Sequence, residues 1–118
     1  MQTILRYRPE TEFYTDEGCY IVELLNVDGD PGCSIARARV RPGVTTRLHH
    51  LTGTIERYVI LEGEGRVEVD GTAPTVVRPL DVVAIPAGVS QRIANTGDTD
   101  LVFLCVCTPR FEPVNYID

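Results

Sequence analysis

The sequence predicts an all-β domain, on three observations. Short segments alternate apolar and polar residues along the chain, and no stretch holds a 3.6-residue period long enough for a helix. Gly-, Pro- and Asp-rich turn signals separate those segments at short, regular intervals, as in sandwiches and barrels. There is no Trp, so the Cys…Trp…Cys core of antibody-type sandwiches is absent. Period and composition leave sandwich and jelly roll both open.

The expected strands follow in chain order. Ile4–Arg8 comes first, and Glu10–Asp16 is the only segment that reads as a helical turn. Tyr20–Leu25 and Ser34–Arg41 flank the turn Asp28-Gly29-Asp30-Pro31-Gly32. Thr46–Leu51 follows Pro42-Gly43, and Glu56–Glu62 stops at Gly63-Glu64-Gly65. Arg66–Asp70 and Thr75–Arg78 flank Asp70-Gly71. Val82–Ile85 and Gln91–Asn95 flank Pro86-Ala87-Gly88, and Leu101–Thr108 follows Gly97-Asp98. That last segment sets Leu101, Phe103, Cys105 and Cys107 against Val102, Leu104 and Val106. Both of its faces are apolar, so one fills a core and the other needs a cover. A homodimer is expected on that ground, with the N-terminal strands as the other available cover.

At 118 residues the chain is read as one domain with a single core. Net charge of −6 argues against nucleic acid, which requires clustered positive charge. All eleven basic residues are Arg, so lysine Schiff-base chemistry is excluded. Residues 1–9 carry no leader-like apolar run, and no run approaches the ~20 residues of a membrane span. A cytoplasmic protein without membrane association is therefore expected. Cys19, Cys33, Cys105 and Cys107 contain no Cys-x-x-Cys pair and are read as free thiols.

Two blocks carry most of the information. The first runs Gly43, five residues, His49-His50-Leu51, four residues, Glu56, six residues, Gly63. The second runs Leu80, five residues, Pro86-Ala87-Gly88, two residues, Gln91, three residues, Asn95. Their spacing resembles the two motifs of the cupin family, small β-barrels that usually hold a metal ion on His, His, Glu and His. The resemblance covers about residues 38–108 and includes the run Tyr58-Val59-Ile60-Leu61-Glu62-Gly63-Glu64-Gly65. It implies a double-stranded β-helix, or jelly-roll barrel, spanning 1–118 as a single cupin-like domain, with residues 1–30 as N-terminal cover. The second half is also similar to the terminal domain of type II mannose-6-phosphate isomerases, through Ile85-Pro86-Ala87-Gly88, Arg92-Ile93, Asn95-Thr96-Gly97 and Asp100-Leu101. Three positions depart from the cupin pattern. Leu51 stands where the second His belongs, Gln91 where the fourth ligand belongs, and Leu80 where the usual Gly belongs.

Strand alternation puts Glu56, Tyr58 and Ile60 on one face, Gln91, Ile93 and Asn95 on another, and Arg47, His49 and Leu51 on a third. With the resemblance, His49, Glu56 and Gln91 become the candidate metal ligands, and His50 points away unless the strand is bulged. One imidazole, one carboxylate and one amide oxygen suit weakly held Fe, Mn, Ni or Zn. The competing reading is a metal-free pocket in which His49 and Glu56 are a hydrogen-bonded buried pair. Tyr58 is the candidate proton donor to a substrate, or a packed pocket wall. Arg47 is the candidate grip for an anionic ligand. Arg37, Arg39 and Arg41 form either an anion stripe or partners for acids such as Glu62, Glu64 or Glu68.

Two functions are carried forward. One is a metallo-cupin isomerase, lyase or oxygenase acting on a small oxygenated or sugar-like molecule. The other is a non-catalytic barrel that binds a small sugar or organic acid without metal.

Overall fold

Alternation in the sequence becomes alternation in burial, and that lays out the sheets. The structure, a computed structural model, describes residues 2–118. Its strands are β1 (Phe13–Thr15), β2 (Cys19–Leu25), β3 (Ser34–Val40), β4 (His50–Leu51), β5 (Ile55–Glu62) and β6 (Gly65–Val69). They continue as β7 (Thr75–Val77), β8 (Val82–Ile85), β9 (Gln91–Asn95), β10 (Leu101–Thr108) and β11 (Tyr116–Ile117). A six-stranded antiparallel sheet runs β1-β2-β3-β10-β5-β8. A three-stranded sheet runs β7-β6-β9, and β4 pairs with β11. The fold is the expected all-β jelly roll.

Tyr58 and Ile60 of β5, Ile93 of β9, and Leu101 and Phe103 of β10 meet in one core with Ala38 and Val40 of β3. Each strand sends alternate residues there, as a half-buried strand must. On the other face of β10, Val102 is buried while Leu104 and Val106 are half-buried.

The motif glycines hold the tight turns. Gly63 has φ +82°, and an added Cβ would sit 2.7 Å from the Asp100 carbonyl oxygen. Leu80 occupies a position of the same kind, with φ +71° on a side chain that is 80% exposed. A β-carbon in this region costs about 1–2 kcal/mol, so the preference for Gly there has a backbone cause. Asn95 closes the second motif by donating Nδ2 to the Val40 and Thr99 carbonyls, 2.8 Å each, while Oδ1 accepts from Gly97 N.

Three expectations are corrected. Ile4–Arg8 forms no strand, because β1 takes the free edge of β2 and leaves those residues no partner. Glu10–Asp16 splits: Pro9–Thr11 makes a single 3-10 turn, and Phe13–Thr15 then pairs with β2. Within Thr46–Leu51 only His50–Leu51 is regular strand. The Thr46 hydroxyl takes the Ile93 N–H in place of a main-chain acceptor, so the contact with β9 is reduced to the isolated bridges Thr45–Ala94 and His49–Gln91 and the Thr46 N–H donated to the Ile93 carbonyl.

The Arg stripe has partners other than those expected. Arg39 forks onto Glu12 at 2.7 and 3.1 Å and reaches Asp100 at 3.1 Å, while Arg37 lies 3.6 Å from Glu12. Arg39 and Arg41 also cover the Tyr20 ring. Glu64 and Glu68 pair with Arg78 and Arg92 instead. The stripe thus anchors the N-terminal segment. All four cysteines are free.

Candidate functional site

A cavity of about 380 Å³ opens between the inner face of the large sheet and the segments at either end of the chain. Its apolar wall includes Ala36, Ala38 and Phe103, because β3 and β10 place those residues inward in register. Polar groups gather where the two sequence blocks meet. His49 is bridged to Gln91, and Glu56 sits opposite Cys107.

His49 is 4% exposed and its ring stacks on Tyr116, with centroids 4.7 Å apart. Nδ1 lies 2.8 Å from the Arg47 carbonyl. A carbonyl only accepts, so Nδ1 carries a proton and Nε2 is left for the cavity. There Nε2 meets Glu17 Oε1 at 3.5 Å. An unprotonated Nε2 and an ionised carboxylate would both be acceptors, so this contact holds a proton on one side or the other. His50 faces away from the cavity wall and pairs with Ile117.

Glu56 is 8% exposed; Cys107 Sγ approaches its Oε2 at 3.8 Å, and its Oε1 has no partner. Burial pushes its carboxyl up from 4.5 to about 7; the Gln91 amide and the His49 ring oppose the rise, and the charge of Glu17 adds to it. Burial likewise raises Glu17 to about 7. Both carboxyls are raised chiefly by burial, which disfavours their charged forms. The thiols of Cys19 and Cys107 are pushed up to about 12 by burial, and Cys105 well above its usual value. These are inert thiols, not nucleophiles.

The remaining sequence candidates are distributed differently. Tyr58 walls the cavity and packs on Phe103, yet its hydroxyl donates a short hydrogen bond to Gln91 Oε1. Its proton is thereby directed at Gln91 rather than at a cavity ligand. Gln91 is 0% exposed and stands behind the wall, with Nε2 unpartnered. Arg47 is half-exposed at the mouth, where Nη1 is 2.6 Å from Asp118 Oδ2. Leu51 contributes hydrocarbon to the wall.

A resident transition metal does not fit this donor set. Among the described residues no three His, Cys, Asp or Glu side chains are grouped to hold one. The amide oxygen that would complete the set is occupied by Tyr58.

Glu17, Tyr116 and Asp118 were not singled out from the sequence. Glu17 lies in the turn Asp16-Glu17-Gly18, whose main chain is fixed by Arg47 N donating to the Glu17 carbonyl at 2.8 Å. Tyr116 arrives through the pairing of β11 with β4, and its buried hydroxyl has no partner. No motif spacing points to either segment.

Comparison with known proteins places the chain among similar barrels. Residues 36–107 match the family described as Cupin domain. An oxalate-binding protein of Thermotoga maritima is 42% identical over 71 residues, 60% of this chain and 58% of that protein. The match thus spans little more than half of that relative. An uncharacterised protein of Methanocaldococcus jannaschii is 34% identical over 102 residues, covering 85% of this chain and 81% of that one. The crystal structure of a predicted oxalate decarboxylase from Thermotoga maritima superposes with a TM-score of 0.71 at 33% identity, over 77% of this chain and 80% of that one. Among the described residues no helix is long and apolar enough to cross a membrane.

Proposed function

The chain belongs to the cupin domain family, and from that premise we propose that it is a small-molecule-binding barrel whose ligand is held by side chains rather than by a resident metal. The observation that carries this reading is the 380 Å³ cavity with the buried, unpartnered Oε1 of Glu56 in its wall. That volume lies within the ~300–1,000 Å³ usual for small-molecule sites. A buried acceptor without a donor costs about 1–3 kcal/mol, which a ligand donor would recover. The relative named for oxalate binding supports a small-molecule role. Leu51 and Gln91 at two of the four ligand positions support a metal-independent one.

The second reading is an enzyme with a weakly held divalent ion on His49, Glu56 and Gln91 and with Tyr58 as proton donor. Its specific support is the same unpartnered Glu56 oxygen. It requires both Tyr58 and Gln91 to give up their mutual hydrogen bond.

The test is calorimetry on untagged protein before and after exhaustive chelation, with oxalate, a pentose, a primary amine and Mn, Fe, Ni and Zn salts. Saturable binding of an organic probe that survives chelation is the expected result. Binding that disappears on chelation and returns with metal refutes the reading.

A further inference from the structure

We propose that the cavity selects a small organic amine, with its ammonium group at Glu56 and its apolar body against the aromatic wall. This deepens the binding reading above and rests on it. The first observation is the charge inventory. Glu56, Glu17, Asp16 and Glu23 all line the cavity; Glu56 is buried, Glu17 half-buried, and Asp16 and Glu23 are exposed. The only guanidinium on the wall, that of Arg47, is already held by Asp118 at 2.6 Å. His49 Nε2 is already turned on Glu17. No guanidinium or ammonium among the described cavity residues reaches Glu56, and His49 is the one basic group acting on it against four lining acids, so an anionic ligand meets net repulsion and a cationic one meets acceptors.

The second observation is independent of charge. Two buried oxygens of the wall, Glu56 Oε1 and the Tyr116 hydroxyl, lack a partner at hydrogen-bond distance; the Gln91 amide acts on the Glu56 carboxyl from behind the wall, yet its Nε2 closes no hydrogen bond either. Glu56 is 92% buried by its 8% exposure, so its vacant oxygen is not satisfied by bulk water. An ammonium group is a pure donor with three hydrogens and suits acceptors of this kind. The rest of the wall is apolar and aromatic, with Phe13, Phe103 and Phe111 besides the Tyr58 and Tyr116 rings. Ring faces also attract a cation, by about 0.5–2 kcal/mol. A polyol would leave this surface badly matched, and a small dianion would fill little of it.

The experiment compares benzylamine with benzyl alcohol, which has the same ring without the charge, on the full chain and on Glu56→Gln. Binding is read by calorimetry at pH 7.5 with chelator present. Benzylamine is expected to bind at least about tenfold more tightly than the alcohol, a modest demand on a charge-assisted hydrogen bond. Glu56→Gln is expected to remove that advantage, so that amine and alcohol bind the variant with equal affinity. Equal affinities in the wild type overturn the inference without reference to any variant. An undiminished amine preference in a folded Glu56→Gln protein overturns the assignment of Glu56. Oxalate or a pentose binding in place of the amine overturns this inference and leaves the binding-barrel reading standing. Binding of metal alone in a parallel titration without chelator, with no organic probe bound, overturns both.

Discussion

Replacing Glu56 by Gln is expected to make this protein more stable at alkaline pH and to leave it nearly unchanged in acid. The glutamate carboxyl is 8% exposed and raised from 4.5 to about 7, chiefly by burial. Its neutral form is therefore the one the fold tolerates. A raised carboxyl means the folded state holds more protons than the unfolded chain between these values, so stability falls as pH rises. The contribution is fully present below pH 4.5 and is lost as pH passes through about 7. Glutamine copies the neutral acid in shape and never ionises. At about 1.4 kcal/mol per pKa unit, the variant should gain on the order of 3 kcal/mol by pH 8. Part of that gain is relief of the repulsion from Glu17, which is already contained in the shift. Urea unfolding of both proteins at pH 4.5, 6 and 8 measures it. A difference that is flat with pH, or a variant weaker at pH 8, would show that a cation already compensates Glu56 and would refute the reasoning.

Three further outcomes are expected. Leu80→Gly should stabilise by about 0.5–1 kcal/mol, since relief of φ +71° outweighs the entropy of an added glycine; a lower urea midpoint would contradict it. Gly63→Ala should destabilise by about 2 kcal/mol or more, because its Cβ falls 2.7 Å from the Asp100 carbonyl oxygen; a neutral effect would mean that the turn can shift. Light scattering at micromolar concentration should give twice the 13.1 kDa chain mass, through the outer face where Val82 is 61% and Leu61 38% exposed beside half-buried Leu104 and Val106; a monomer would refute the dimer.

What was legible in the sequence followed from period 2. Glu56, Tyr58 and Ile60 are all buried on β5, and Gln91, Ile93 and Asn95 on β9, because a strand between fixed turns has no freedom to rotate its faces. At Leu80 the sequence showed only a departure from the usual Gly, and the structure supplies the backbone reason for that Gly, φ +71°. Ile4–Arg8 misled because alternation reports amphipathicity and not the existence of a neighbouring edge. The helical turn expected over Glu10–Asp16 misled in the opposite sense, since β2 offers Phe13–Thr15 a ladder that local propensity does not register. The acids Glu62, Glu64 and Glu68 were reasonable partners for the Arg stripe, but Glu12 reaches Arg37 and Arg39 from a segment whose position depends on tertiary packing.

That same dependence explains where the chemistry of the cavity comes from. The family motifs supply His49 and Glu56 and orient them, yet neither has its surroundings set by the motifs alone. Glu17 comes from a turn before β2 and faces His49 Nε2. Tyr116 comes from β11 and stacks on the other side of the same ring. Asp118 neutralises the one guanidinium at the mouth. Glu17 and Asp118 add two carboxyls to a cavity already lined by Asp16, Glu23 and Glu56, and they occupy the His49 ring and the Arg47 guanidinium. The charge of the cavity therefore depends on the docking of the segments that flank the two motifs as well as on the motif residue Glu56.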